Sequence, residues 1–211
     1  MRKGLLLYSV YAHGKLVTLI LFGALVAGIV SIFIEFDLLH SWYPLVALGA
    51  APYTLLMKSE GTANWEKFQL AMPIKRKDLA TSLYLNVFFA SFVGIPILAL
   101  IWGIKLVMDA NFVDFILNAG LVTAMSVFGA LWSMTGLLYS LAYTKLGKAS
   151  EQALFIVCFI ASAALVGALS GAGSALELSG IATAVLIAAV GMAVFLVGMF
   201  ITRGLYAKMD F

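Results

Sequence analysis

Hydrophobic and polar positions in this chain come in blocks. Six apolar runs, at about 16–34, 38–57, 79–104, 112–142, 152–170 and 181–202, are separated by short polar connections. Asp, Glu, Lys and Arg are absent from the interior of every run and collect in the connections and at the ends. Roughly 20 apolar residues cross the hydrocarbon core of a bilayer, and each run approaches or exceeds that length. Within lipid a backbone must bond to itself, so the pattern predicts six transmembrane helices. The third and fourth runs are longer than a perpendicular crossing needs, which predicts tilt or a short interfacial extension. The connections are too short for a separate soluble unit. The reading is an all-α integral membrane protein, with 1–211 as one transmembrane domain.

Composition supports this class and excludes others. The chain is 64% hydrophobic and 11% charged, against roughly 25% charged for a soluble domain. Arg2 and Lys3 precede apolar sequence, but the first long run begins only after Lys15 and exceeds the h-region of a signal peptide, so it reads as a retained helix. Cys158 is the single cysteine and there are two histidines, which cannot build a disulfide framework or a metal cluster. Cys158 reads as a small buried hydrophobe, and His13 and His40 as polar residues at the membrane boundaries.

Charge then sets orientation. Arg2, Lys3, Lys15, Lys58, Lys67, Lys75, Arg76, Lys77, Lys145, Lys148, Arg203 and Lys208 fall on one side of the six-helix arrangement, and only Lys105 on the other. The basic side is cytoplasmic, which places both termini and the connections at 58–78 and 143–151 there. The net charge of +3 thus follows from topology and anionic lipid, with no call for a nucleic-acid partner.

Smaller features refine the layout. Residues 1–15 mix Leu5, Leu6, Leu7, Tyr8, Val10 and Tyr11 with Arg2, Lys3, His13 and Lys15, which suits an amphipathic helix in the inner interface. Trp42 reads as an outer-boundary anchor. Pro44 and Pro52 in the second run, and Pro96 after Gly94 in the third, predict kinks that serve either packing or opening of a pathway. Gly167 and Gly171 form a GxxxG, followed by a Gly-rich turn over 171–180. That spacing permits close helix approach.

The most distinctive connection is 58–78, KSEGTANWEKFQLAMPIKRKD. Thr62 or Asn64 can cap a short helix. Trp65 and Phe68, three apart, share one face of it. Pro73 stops the helix and Lys75, Arg76 and Lys77 form a basic run. One reading is an interfacial loop on anionic lipid. The other is a docking element that a soluble partner's groove receives, passing movement to the attached spans.

In Glu60, Trp65, Phe68, Met72-Pro73 and Lys75-Arg76-Lys77-Asp78, then Ser82, Tyr84 and Leu85, the chain resembles the small six-span permease subunits of ABC-2 type exporters, of the phenol-soluble-modulin and bacteriocin exporter kind. The ending Tyr206, Lys208, Asp210, Phe211 is similar too, while the acidic residue often found before the first span is absent. The resemblance implies a dimer of identical or homologous permease chains bound to two ABC ATPase subunits. It makes 58–78 a coupling helix, with Glu60, Trp65, Glu66, Phe68, Pro73, Lys75 and Arg76 at the ATPase groove. ATP and Mg would be held by the partner. It also implies the bacterial cytoplasmic membrane and export of cytolytic or bacteriocin-like peptides, toxins or antibiotics by alternating access.

The residues themselves fit a non-catalytic chain. No GxxxxGK[ST] occurs, so no cofactor is expected here. Ser133, Ser140 and Ser162 have no neighbouring histidine in sequence to serve as base. The interiors of the runs offer only Asn86, Asn118, Gln152, Ser, Thr and Tyr as polar residues, where an ion-coupled secondary transporter usually carries intramembrane charge. A secondary transporter that binds ions through backbone carbonyls, and a structural or immunity-type membrane protein, remain alternatives. An uncharged route suits hydrophobic or amphipathic cargo, with Tyr43, Tyr53, Met57, Phe155 and Phe159 as candidates to line it.

Overall fold

The computed structural model describes residues 76–93, 95–109, 112–142 and 151–208, with helical positions 18, 22–23, 25–26 and 29–30 in the first apolar run. The second run, the N-terminal segment expected to be amphipathic and most of the 58–78 connection lie outside the described residues. Every regular element among those described is helical: α1 (Arg76–Val93), α2 (Ile95–Met108), α3 (Phe112–Phe115), a π-turn (Ile116–Gly120), α4 (Leu121–Ala142), α5 (Glu151–Ala175) and α6 (Gly180–Lys208). Four stretches are long and apolar enough to cross a membrane: Ala80–Met108, Phe112–Leu141, Ala153–Ala175 and Gly180–Leu205. They correspond to the third to sixth apolar runs of the sequence.

The boundaries carry physical detail. Pro96 is the second residue of α2, in the first turn, where its missing N–H has no intrahelical acceptor to lose. The expected Gly-rich turn is shorter than 171–180, because α5 continues through Gly171 and Gly173 to Ala175. The chain reverses at Glu177, which takes a left-handed backbone with φ of 53°. There the Leu178 N–H bonds the Gly173 carbonyl at 2.9 Å and the Glu177 N–H bonds the Ser174 carbonyl at 3.2 Å, a Schellman closure. Ser179 then caps α6 by accepting the Ala182 N–H at 3.2 Å. Glycine is the residue suited to the position Glu177 holds. Glu177→Gly is expected to raise stability by about 0.5–1 kcal/mol, after the added unfolded-chain entropy is subtracted. A thermal melt in detergent reads this as a higher Tm; an unchanged or lower Tm would refute it.

α4 is central, packing on α5, α6 and α1, while α1 and α5 also touch α6. The closest seam joins α4 to α6. A Cβ placed on Gly129 would stand 2.6 Å from the Ile187 carbonyl oxygen, and one on Gly136 would stand 2.5 Å from that of Val194. Reciprocally, a Cβ on Gly191 would strike the Gly129 backbone, and one on Gly198 the Gly136 backbone. Both pairs are spaced by seven, two turns at 3.5 residues each, and the pairing order makes α4 and α6 run parallel. Gly167 and Gly171 have nothing within 4 Å of the corresponding position. Among the described residues the GxxxG motif makes no close approach.

The buried cluster that the helices share contains Tyr84, Val87, Trp132, Leu138, Tyr139, Cys158 and Phe195. Large apolar side chains such as Phe89, Ile160 and Phe200 are exposed on the outside, as suits a surface bathed in hydrocarbon.

Candidate coupling and pathway residues

Arg76 is the first residue of α1, so the basic run leads directly into the third span. Lys77 is exposed and its carbonyl accepts from Thr81 Oγ1 at 2.8 Å. Two turns further along, α1 is fastened to the bundle by Tyr84, which is fully buried. Its ring lies 5.2 Å from that of Tyr139 on α4 and 5.1 Å, edge-on, from that of Phe195 on α6. Its hydroxyl is 2.8 Å from Thr202 Oγ1. Thr202 spends its single proton on the Gly198 carbonyl, also at 2.8 Å. Tyr84 must therefore be the donor in the pair and Thr202 the acceptor. This buried bond joins the helix that follows the 58–78 connection to α6.

A second polar contact ties α4 to α5. Ser133 Oγ and Ser162 Oγ are 2.6 Å apart, and both reach the Ala130 carbonyl, at 2.9 and 2.7 Å respectively. Both serines are buried. Two hydroxyl protons serve three contacts, and no titratable group takes part in them. The arrangement is a helix clamp. In lipid such interhelical hydrogen bonds are worth about 0.6 kcal/mol on average, up to about 1.7.

Of the residues that sequence pointed to, Glu60, Trp65, Glu66, Phe68, Pro73, Lys75, Tyr43, Tyr53 and Met57 lie outside the described residues. Arg76 is described only by its place at the head of α1. Phe155 is half-buried on α5 and packs at the margin of the shared cluster. Phe159, one turn on, is 58% exposed beside Ile156, Val157 and Ile160. Neither lines the open cleft between α2, α4 and α6, whose walls include Trp102, Phe128 and Trp132.

Those wall residues carry little sequence signal, since an apolar residue in an apolar span has no polar neighbour to mark its face. The one available hint is Trp132, because tryptophan favours the membrane interfaces and this one lies inside the fourth run. The π-turn is equally silent in sequence. It is closed by the Leu121 N–H on the Ile116 carbonyl and brings Gly120 under the Trp102 ring, where a Cβ would stand 2.8 Å from the ring's Cη2. Such turns recur at functional sites.

Comparison with known families matches residues 4–207 to the ABC-2 family transporter protein. Comparison with curated proteins and with solved structures gives no match. The match covers nearly the whole chain, and the protein belongs to the ABC-2 transporter family, the membrane components that work with ABC ATPase partners.

Proposed function

We propose that this ABC-2 family chain is the permease subunit of an ATP-driven exporter in the bacterial cytoplasmic membrane, with both termini cytoplasmic. Two permease chains, identical or homologous, pair with two ATPase subunits, which hold ATP and Mg. The 58–78 connection is the coupling helix. Trp65 and Phe68 enter the ATPase groove, Glu60, Glu66, Lys75 and Arg76 make polar contacts at its edge, and Pro73 fixes the exit angle.

The observation that carries this reading is the continuity from Arg76 into α1 and from Tyr84 of α1 to Thr202 of α6. A push on the segment before Arg76 acts on a helix that is bonded, two turns in, to the C-terminal part of α6. ATPase closure would tilt the second and third spans and, through Tyr84, carry α6 with them, giving alternating access. The route at the seam between the two permease chains takes hydrophobic or amphipathic cargo, such as a peptide, toxin or antibiotic. Tyr43, Tyr53, Met57, Phe155 and Phe159 are its candidate lining, and the exposed apolar face around Phe159 supports that choice.

Detergent extraction of tagged wild type and of a Trp65→Ala, Phe68→Ala double variant tests it. An ABC ATPase should copurify with wild type and fall at least tenfold in the variant, a loss of about 1.4 kcal/mol or more in association. Truncating two central apolar anchors of an interface commonly costs that much. Well-folded wild type that captures no ATPase would overturn the exporter reading in favour of an ion-coupled transporter or a structural membrane protein.

A further inference from the structure

Arg203 stands in the last turns of α6, five residues before its end at Lys208, or about 8 Å at the helical rise of 1.5 Å per residue. It falls inside Gly180–Leu205, the apolar stretch long enough to cross a membrane. A charge at that depth is costly unless it is paired or reaches the headgroup layer. The Arg203 side chain is half-buried, and its Nε–H is buried without a hydrogen-bond partner. The two Nη groups are neither buried nor bonded to any described residue. Packing thus holds the stem and Nε, while the outer edge of the guanidinium keeps its N–H donors open to a guest.

The neighbouring helix adds charge of the same sign. Phe88 meets Phe195 at a ring-centroid distance of 6.3 Å, and Tyr84 meets Thr202, so α1 and α6 run antiparallel. That register sets the exposed Lys77 level with the end of α6, beyond Arg203 toward the membrane boundary. The helix ends at this boundary carry Arg76, Lys77, Arg203 and Lys208 against Asp78 and Glu151. Asp78 has interactions of its own, and α6 holds no acid along its whole length. The mouth of the α1–α6 seam is therefore net positive.

The anion that a bilayer offers at this level is the headgroup phosphate, and basic residues at a membrane surface draw anionic lipids. A planar guanidinium fork matches two phosphate oxygens at once, where an ammonium supplies a point charge. We infer that the boundary end of the α1–α6 seam binds the phosphate of an anionic lipid headgroup, with the Nη edge of Arg203 donating to its oxygens and Lys77 supplying a second positive charge from α1. A lipid held there bridges the two helices that the Tyr84–Thr202 bond joins deeper in the bundle. The site follows from the packing of one chain and does not rest on the exporter reading.

The test uses the full purified chain in detergent with three probes: dioleoyl phosphatidylglycerol, dioleoyl phosphatidylcholine and inorganic phosphate. Retention of the two lipids is read by native mass spectrometry, and the shift in Tm is read for all three. Phosphatidylglycerol should be retained about tenfold more than phosphatidylcholine, the scale of one charge-assisted hydrogen bond, and should raise Tm. Inorganic phosphate at the same concentration should leave Tm unchanged. Arg203→Gln should bring retention of the anionic lipid down to that of phosphatidylcholine. Arg203→Lys, which keeps the charge without the fork, should fall between the two. Lys105→Gln, which removes a charge in the last turn of α2 at the opposite boundary, should keep the wild-type preference. Equal retention of both lipids by wild type, which needs no variant to interpret, would overturn the site. So would a preference that survives Arg203→Gln, or one lost as fully in Lys105→Gln. Arg203→Lys binding as well as wild type would overturn the forked contact. A rise in Tm with inorganic phosphate equal to that with the lipid would overturn the lipid as its source. No ATPase enters this assay, so its failure would leave the exporter reading untouched, and the converse also holds.

Discussion

Gly191→Leu is expected to separate α4 from α6 and leave little folded protein after extraction. A side chain at Gly191 would run into the backbone of Gly129, and backbone cannot rotate aside as a flexible side chain can. Overpacking usually costs about 1–3 kcal/mol and more where nothing can yield, so a loss of about 3 kcal/mol or more is expected. That is a large share of the roughly 5–15 kcal/mol that a folded protein has in total. In lipid the consequence is sharper, because no hydrophobic force draws helices together and close small-residue contact is a main source of adhesion. Gly198→Leu should behave alike, since its neighbour is the Gly136 backbone. Gly167→Leu and Gly171→Leu, where no described residue lies within 4 Å, should change the stability of the chain by no more than about 0.5 kcal/mol. Thermal unfolding of the four variants in one detergent checks the contrast. A Gly191→Leu protein as stable as wild type would mean that the α4–α6 seam is misplaced.

Tyr84→Ala should be the second most damaging change. It removes a fully buried ring in contact with Tyr139 and Phe195. Aromatic truncations in cores cost about 3–5 kcal/mol; the lower end applies in a membrane, where the transfer part is smaller and the cavity part remains. The finer test lies in the hydroxyl pair. Tyr84→Phe removes the donor and leaves Thr202 still bonded to the Gly198 carbonyl, so its cost should stay near the interhelical value of about 0.6 kcal/mol. Thr202→Val instead leaves the buried Tyr84 hydroxyl without its acceptor, which adds about 1–2 kcal/mol. Tm should therefore fall in the order Tyr84→Phe, Thr202→Val, Tyr84→Ala. A Tyr84→Phe protein less stable than Thr202→Val would reverse the assigned donor. If Tyr84 also transmits movement from the coupling segment, Tyr84→Phe should lower transport per ATP hydrolysed more than its small effect on stability would explain.

Much of the architecture was legible from residue order. Runs without charge predict helices because the bilayer permits little else, and the runs from 79 onward appear as helices within a few residues of the expected limits. The ends were read less well. Glycines at 171 and 173 suggested a turn, yet both belong to α5, and the reversal falls at Glu177. Glycine lowers the cost of leaving a helix without requiring it, and within a hydrocarbon layer the backbone gains by staying bonded. The close-approach spacing of Gly167 and Gly171 did not point to the glycines that meet a neighbour among the described residues. Among 19 glycines, small-xxx-small spacing recurs by chance. Which glycine meets a neighbour depends on how each helix is rotated, and that is settled by contacts with other helices.

The sequence by itself determined what the solvent enforces: helical spans and their approximate lengths. It also held the resemblance that the family match supports. What only the tertiary structure decided is which faces meet. In water the buried face of a helix is written as polar against apolar, but in lipid both faces are apolar and the code is lost. So the Gly129–Gly191 and Gly136–Gly198 seam and the Tyr84–Thr202 link could not be read along the chain. Each arises from residues on different helices brought together by packing, 62 and 118 positions apart for the seam and the link. Each is fixed by packing and hydrogen bonding in a medium that supplies neither a hydrophobic force between helices nor a spare acceptor.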